Sequence, residues 1–444
     1  MTQDELLVVI EQAKRSGQTK LDLSGRSLEE LPSEMEQLIN LQSLNLRKNR
    51  LTRFPESIKT LSNLSSLDLG GNHLITLSDS IGQLRNLQSL NLQENCLTTL
   101  PESIGELFRL SSLQLTGNQL IELPESIEWL VCLSYLDLQH NHLTNLPDAI
   151  GQLSNLSSLY LNDNQLKILP ESIGDLTNLV VLSIGNNQLT TLPKSIGKAH
   201  KITYLNLSSN QLEDLPESIG QLTNLTSLEL SNNHLTALPE SIGQLENLIF
   251  LASSNNQLTV LPESIGQLVN LTTLRLYING LKGLPNSMTQ LINLEELNLS
   301  YNQLTTLPDW ISQFTKLTEL SLIANDSIVL SDQLGQLINL ISLDLGAQHL
   351  TIVPSWIRRL TNLTCLSLSD NQLTTLPDWI GELTQITALH LWKNQLTILP
   401  DSIGELTNLT RIDLSNNQLV KLPESIARLP NLTDLNVKHN NFTP

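Results

Sequence analysis

The stretch LSSLDLGGNHLITLSDSIGQLRN (Leu64–Asn86) decides how the whole chain is read. Its pattern returns, with no insertion or deletion, in eighteen consecutive segments of 23 residues running from Gln18 to Asn431. A nineteenth segment starts at Leu432 and stops at Pro444. A self-similar period of this length marks a solenoid, in which each unit buries its apolar face only against its neighbours. Such an architecture offers surface more than a pocket, so binding of something large is the first functional expectation.

Within the 23 positions, Leu or Ile dominates positions 1, 4, 6, 11, 14, 18 and 21. Position 9 is Asn in seventeen of the last eighteen segments, with Gln348 the exception, and position 15 is Pro in sixteen of the eighteen full repeats. This is the leucine-rich-repeat pattern L-x-x-L-x-L-x-x-N-x-L, and it spans residues 18–444. Positions 4 and 6 alternate with 3, 5 and 7, which predicts a short strand with one buried and one wet face. The position 9 amide can donate and accept at once, so a ladder of asparagines is expected to bond the backbone where the chain leaves the strand. The ladder comprises Asn49, Asn72, Asn95, Asn118, Asn141, Asn164, Asn187, Asn210, Asn233, Asn256, Asn279 and Asn302. The proline fixes φ and opens a short helical turn. The predicted fold is therefore α/β: a right-handed leucine-rich-repeat horseshoe with a concave parallel sheet and short helical or 3₁₀ turns outside.

Three parts follow: a capping helix over 1–17, the repeats over 18–431 and a partial terminal repeat over 432–444. Leu6, Leu7, Val9 and Ile10 in DELLVVIEQAKRSG suit a short helix whose apolar face covers the first coil and which ends at Gly17. The segment does not read as a secretion signal, because Asp4 and Glu5 stand where a signal carries positive charge. No segment reaches transmembrane length. At the other end Phe442 is expected to plug the last coil.

Cys96, Cys132 and Cys365 fall at unrelated repeat positions, which argues against a disulfide framework and for a reducing, cytoplasmic setting. N-x-S/T triplets such as Asn224-Leu225-Thr226 read as by-products of the repeat junction. The net charge of −19 has a local source: position 16, just after the proline, is Asp or Glu in fourteen of eighteen repeats. An acid there faces the positive end of the helical turn. Stacked, these acids form either a solvated structural ridge or a surface for cations and basic partners. The acidic balance argues against nucleic acid.

Positions 3, 5, 7 and 8 make up the concave face. All five tyrosines fall there, Tyr135, Tyr160, Tyr204, Tyr277 and Tyr301, with Phe250, Arg275 and Trp392. These eight are the candidate protein-binding residues, since Tyr and Trp are common interface anchors. The competing reading is that tyrosine favours strands and the core slots exclude it. Tyr204, Phe250, Tyr277 and Tyr301 are expected to share the main contact patch. Arg47, Lys48 and Arg50 make the amino-terminal end of the face basic. His140, His142 and Asp163 can be drawn as a metal site on adjacent coils, but no ligand spacing recurs and no metal is expected. Trp310, Trp356 and Trp379 share position 17, where they are expected to shield the core. Regularity breaks over 323–349: Ser327 takes a core slot, Ser331 replaces the proline and Gln348 replaces the ladder Asn. That stretch reads as tolerated drift, a flexible point or a ligand notch. Ser253 is a milder break in a core strand slot.

No P-loop, H-E-x-x-H, G-x-S-x-G or C-x-x-C is present, so no catalytic residue, enzyme activity or cofactor is expected. The core L-P-x-x-I-G-x-L-x-N-L-x-x-L-x-L-x-x-N-x-L resembles the intracellular Ras-group leucine-rich-repeat scaffolds. It equally resembles the repeat region of cyanobacterial Roc-COR proteins, here without the GTPase module. The resemblance implies a cytoplasmic, monomeric interaction scaffold, with a small GTPase as candidate partner, and transfers no catalytic residue. A secreted bacterial leucine-rich-repeat effector and an engineered consensus-like repeat protein are the alternatives.

Overall fold

The computed structural model describes residues 1–325 and 328–442. The chain divides into two compact units, Met1–Leu228 and Glu229–Pro444. In the first, three-residue strands run from β1 (Lys20–Asp22) to β9 (Tyr204–Asn206), each parallel to the next. β10 (Ser227–Glu229) straddles the division, and the second unit continues from β11 (Phe250–Ala252) to β19 (Asp434–Asn436). The register advances by one repeat per strand: Leu21 opposes Leu44, and Leu274 opposes Leu297. The expected parallel sheet with 3₁₀ turns between strands is thus observed, because within each unit the position 4 side chains stack on their counterparts one repeat on.

The apolar positions are buried almost without exception, as in Leu159, Leu161, Leu166 and Ile173, each 0% exposed. Each 3₁₀ turn, such as Glu102–Glu106, returns one of these side chains inward, here Ile104. The prolines stand one residue earlier than a first helical position. Pro101 is extended (φ −73°, ψ 153°) and the turn begins at the acid after it. At the two full repeats without proline, Ser78 and Ser331 cap the turn by accepting from the Ser80 and Gln333 N–H groups, both at 3.3 Å.

The first helix, α1 (Gln3–Arg15), opens on a capping box between Thr2 and Glu5 and buries Leu6, Ile10 and Ala13. Leu7 and Val9, expected inward, are only half-buried, because the helix period carries Ala13 onto the inner face instead. Phe442 does not plug the last coil: it is 38% exposed, and Leu435 is 39% exposed. Ser253 keeps its core slot without harm, since the Asn256 amide donates to its hydroxyl at 3.4 Å. Ser327 lies outside the described residues.

Candidate functional site

The candidate surface is the wet face of the strands together with the turn that leaves it. That turn is held by the asparagines. Asn164 is representative: its Oδ1 accepts from the Leu143 N–H at 3.0 Å, while its Nδ2 donates to the Leu138 and Leu161 carbonyls at 2.9 and 3.0 Å. One amide thereby serves two successive coils, a pattern seen from Asn49 to Asn210 in the first unit and again at Asn256, Asn279 and Asn302 in the second. Asn233 is likewise buried and donates to the Leu230 carbonyl at 2.9 Å. The residue before each ladder position is left-handed, with φ between 51° and 70° throughout the described residues, and it is glycine only at Gly25, Gly71 and Gly117. Where the ladder residue is Arg26 or Gln348, a second left-handed residue appears two places on, Ser27 at 57° and His349 at 56°. Gln348 bonds the Leu322 carbonyl through Nε2, but its buried Oε1 has no partner.

Two features of the far side were not foreseen. The glycine of the S-I-G triplet sits against the next coil: a Cβ on Gly151 would lie 2.5 Å from the Ser172 carbonyl oxygen. Only glycine admits that approach. Where Thr289 and Arg358 replace it, successive turns pack less closely and Trp310 and Trp379 follow one repeat on, whereas Glu128 replaces it without such loosening. Trp356 is 2% exposed, and Trp310 meets Phe314 edge-on at 5.7 Å. The asparagine of the N-x-S/T triplets belongs to a second, exposed ladder: Asn155 donates to the Val131 carbonyl at 2.8 Å and Asn224 to the His200 carbonyl at 2.8 Å, and Asn178, at the same repeat position without the triplet, donates to the Ser154 carbonyl at 2.8 Å. Its signal was present in the sequence as a recurring Asn at position 23.

The acids of position 16 reach across coils. Glu102 and Glu171 accept from the Ser126 and Ser195 N–H groups at 3.2 and 3.1 Å. Hydrogen bonds from Ser195 hold the Glu171 carboxyl below its usual range, and the Ser78 hydroxyl does the same for Glu56. The ridge therefore has a structural task of its own.

On the strand face of the first unit, Tyr135 and Tyr160 stand 5.5 Å apart with rings tilted by 48°, and the Tyr135 hydroxyl donates to Asp137 at 3.3 Å. Burial, with the Asp137 charge, pushes the Tyr135 phenol up to about 12, so it stays a donor at neutral pH. Tyr204 is half-buried at the start of β9. His140 meets Asp163 at 3.4 Å, while His142 turns to Gln165 at 3.5 Å. Among the described residues no group of three His, Cys, Asp or Glu side chains is arranged to hold a metal.

In the second unit, Arg275 lies 5.4 Å from the centre of the Phe250 ring and forms a bidentate pair with Glu296 at 2.6 and 2.9 Å. Tyr277 follows two residues on and is half-buried. Tyr301 sits past its strand in the left-handed turn (φ 54°), 53% exposed, at the edge of the face rather than within it. The structure joins it instead to Trp392, with which it lines a cavity of about 320 Å³. Among the aromatic candidates of this unit, Phe250 thus groups with Arg275 and Tyr301 with Trp392, while Tyr277 belongs to neither pair.

Comparisons with known proteins agree with this geometry. A "Leucine-rich repeat region" model matches residues 124–202, 186–260 and 250–349, and a "Leucine rich repeat" model matches 18–74, 75–120, 338–396 and 384–442. The LRR protein LIC12759 of Leptospira interrogans is 37% identical, with a TM-score of 0.74 over 96% of this chain and 97% of that one. The plant peptide hormone receptor RGFR1, solved in complex with RGF2, is 29% identical, with a TM-score of 0.72 over 96% of this chain and 78% of that one. YopM from Yersinia enterocolitica is 26% identical, with a TM-score of 0.71 over 99% and 91% of the two chains. No curated protein matches the chain. Among the described residues no helix is long and apolar enough to cross a membrane.

Proposed function

Because the chain belongs to the leucine-rich repeat family, we propose that it is a non-catalytic scaffold that binds a protein or peptide along its strand face. The observation that carries this reading is the set of half-exposed aromatic and charged side chains standing on that face, Tyr135, Tyr160, Phe250, Arg275, Tyr277 and Trp392, with Tyr301 at its edge. Such residues are the usual anchors of an interface, and the regular backbone beneath them holds them rigid. The peptide-bound RGFR1 complex supports a polypeptide ligand for this geometry. In the same reading the chain acts as a cytoplasmic monomer in signalling, with a small GTPase as candidate partner.

A second reading is a secreted bacterial leucine-rich-repeat effector. It is favoured by the match across nearly the whole of the Leptospira and Yersinia chains.

The test is a binding series against whatever partner the wild-type chain captures. Replacing Tyr277 and Tyr301 with Ala should cost roughly 2–4 kcal/mol of affinity if both are anchors. Glu217→Gln with Glu240→Gln, on the acidic ridge, should leave affinity within about 0.5 kcal/mol of wild type. Loss in the ridge variant with retention in the tyrosine variant would reverse the assignment of the binding face.

A further inference from the structure

The cavity between Tyr301 and Trp392 has a defined origin. Along the positions that follow the strand, the three repeats between these two aromatics place Ile323 and Ala324, then Gly346 and Ala347, then Ser369 and Asp370. The small residues among them form a floor between two large walls, and a notch of about 320 Å³ remains. This is the size of a site for one side chain, near the lower end of ligand pockets.

The floor is chemically specific. Asp344 projects from β15 (Ser342–Asp344), and its Oδ1 accepts from the Gly346 N–H at 2.9 Å, which fixes the carboxylate in place. No lysine or arginine pairs with it among the described residues; its other neighbours in the notch are the Ser367 hydroxyl and His390. The second acid, Asp370, is already held by Lys393 at 2.8 Å, so that pair closes the rim. Ser369 lines the notch, 3% exposed, and its buried hydroxyl has no hydrogen-bond partner. A buried polar group without a partner costs roughly 1–3 kcal/mol and marks where an incoming donor is rewarded.

We propose that this notch receives one basic side chain, arginine by preference, presented by the polypeptide that binds the strand face. A guanidinium matches all three elements: a carboxylate for paired N–H donors, a hydroxyl without a partner and flat aromatic faces to stack on. An ammonium matches the charge but not the planes. Burial raises the Asp344 carboxyl above its usual range, against the Gly346 and Ser367 hydrogen bonds and the nearby His390 that lower it, so a cation placed beside it would offset part of that desolvation. The inference rests on the scaffold reading above and gives it a charge preference.

The experiment is calorimetric titration of the full chain with N-acetyl-arginine amide, N-acetyl-lysine amide and N-acetyl-citrulline amide, the last a neutral isostere. Arginine amide should bind at least about 10-fold more tightly than citrulline amide, as expected for one charge-assisted bidentate contact. Asp344→Asn should abolish that difference. Ala347→Lys fills the notch and supplies its own cation, and it should fold, because Lys48 and Lys393 hold the same left-handed conformation. It should also lose arginine binding.

Equal binding of arginine and citrulline amides, or wild-type binding by both variants, would overturn the cation site. Equal binding of lysine and arginine amides would overturn the preference for arginine. If the probes fail while Tyr277→Ala still weakens partner binding, the notch inference falls alone. If neither responds, the strand-face reading falls with it.

Discussion

Gly151→Ala tests whether the coils are spaced by a steric contact or only by backbone preference. A Cβ at Gly151 would lie 2.5 Å from the Ser172 carbonyl oxygen, 2.7 Å from Ser172 Cβ and 3.1 Å from the Ser172 carbonyl carbon. The obstacle is the backbone of the next coil, which cannot rotate away. Relief requires the coil to retreat by about 0.7 Å, and overpacking of this kind costs about 1–3 kcal/mol. Alanine returns about 0.5–1 kcal/mol of backbone entropy, so the net loss is about 1–2 kcal/mol. Two other glycines supply the scale. At Gly335 the new Cβ would meet Trp356 and Arg359 at 3.1 Å, so the same change should be close to neutral. At Gly283 nothing lies within 4 Å, and alanine should stabilise by about 0.4–1 kcal/mol. Stability in a solenoid is a nearest-neighbour quantity, so the assay is hydrogen exchange of peptides spanning each site rather than one melting temperature. The reasoning is refuted if the three alanines shift local protection equally, since backbone entropy would then explain the glycines without the contact.

Asn164→Ala removes the acceptor of the buried Leu143 N–H and a donor to two carbonyls. It should cost about 2–4 kcal/mol locally, whereas Asn178→Ala, which loses one exposed bond, should cost less than about 1 kcal/mol by the same exchange measurement. Ile278 is a β-branched residue at φ 55°, and Ile278→Asn should raise protection of its coil by about 1 kcal/mol; a loss would contradict the strain. Glu56 is held below the usual carboxylate range chiefly by the Ser78 hydroxyl, so its stabilisation is complete above that range and lost as pH falls through the lower folded value. Asp344, raised by burial, opposes this, because protonation on acidification relieves its cost. Melting from pH 7 to pH 3 should therefore fall less steeply in Glu56→Gln than in wild type. Amides of 328–349, where Gln348 leaves a buried oxygen without a partner, should exchange faster than those of 156–247; equal protection would mean the irregular turn is fully repaired.

The sequence by itself determined the repeat, the strand, the buried set and the parallel register. Each depends on one residue meeting its own counterpart 23 positions away, so a period is sufficient to state it. Leu159 needs only Leu182 beside it, and Asn164 needs only the backbone on either side. The proline was legible as a turn signal, though not its exact place one residue before the turn. What the tertiary structure decided are meetings between unlike positions. Tyr301 leaves the strand face because the turn after the strand is left-handed, a property shared by residues as different as Ala347, Asn255 and Lys393 and therefore invisible in residue type. The Gly151–Ser172 approach depends on coil spacing, which no single repeat states. The notch exists because Gly346, Ala347 and Ser369 happen to fall between two aromatics several coils apart. In the sequence those small residues look like drift, and only the stacked coils turn their missing volume into a cavity with Asp344 on its floor.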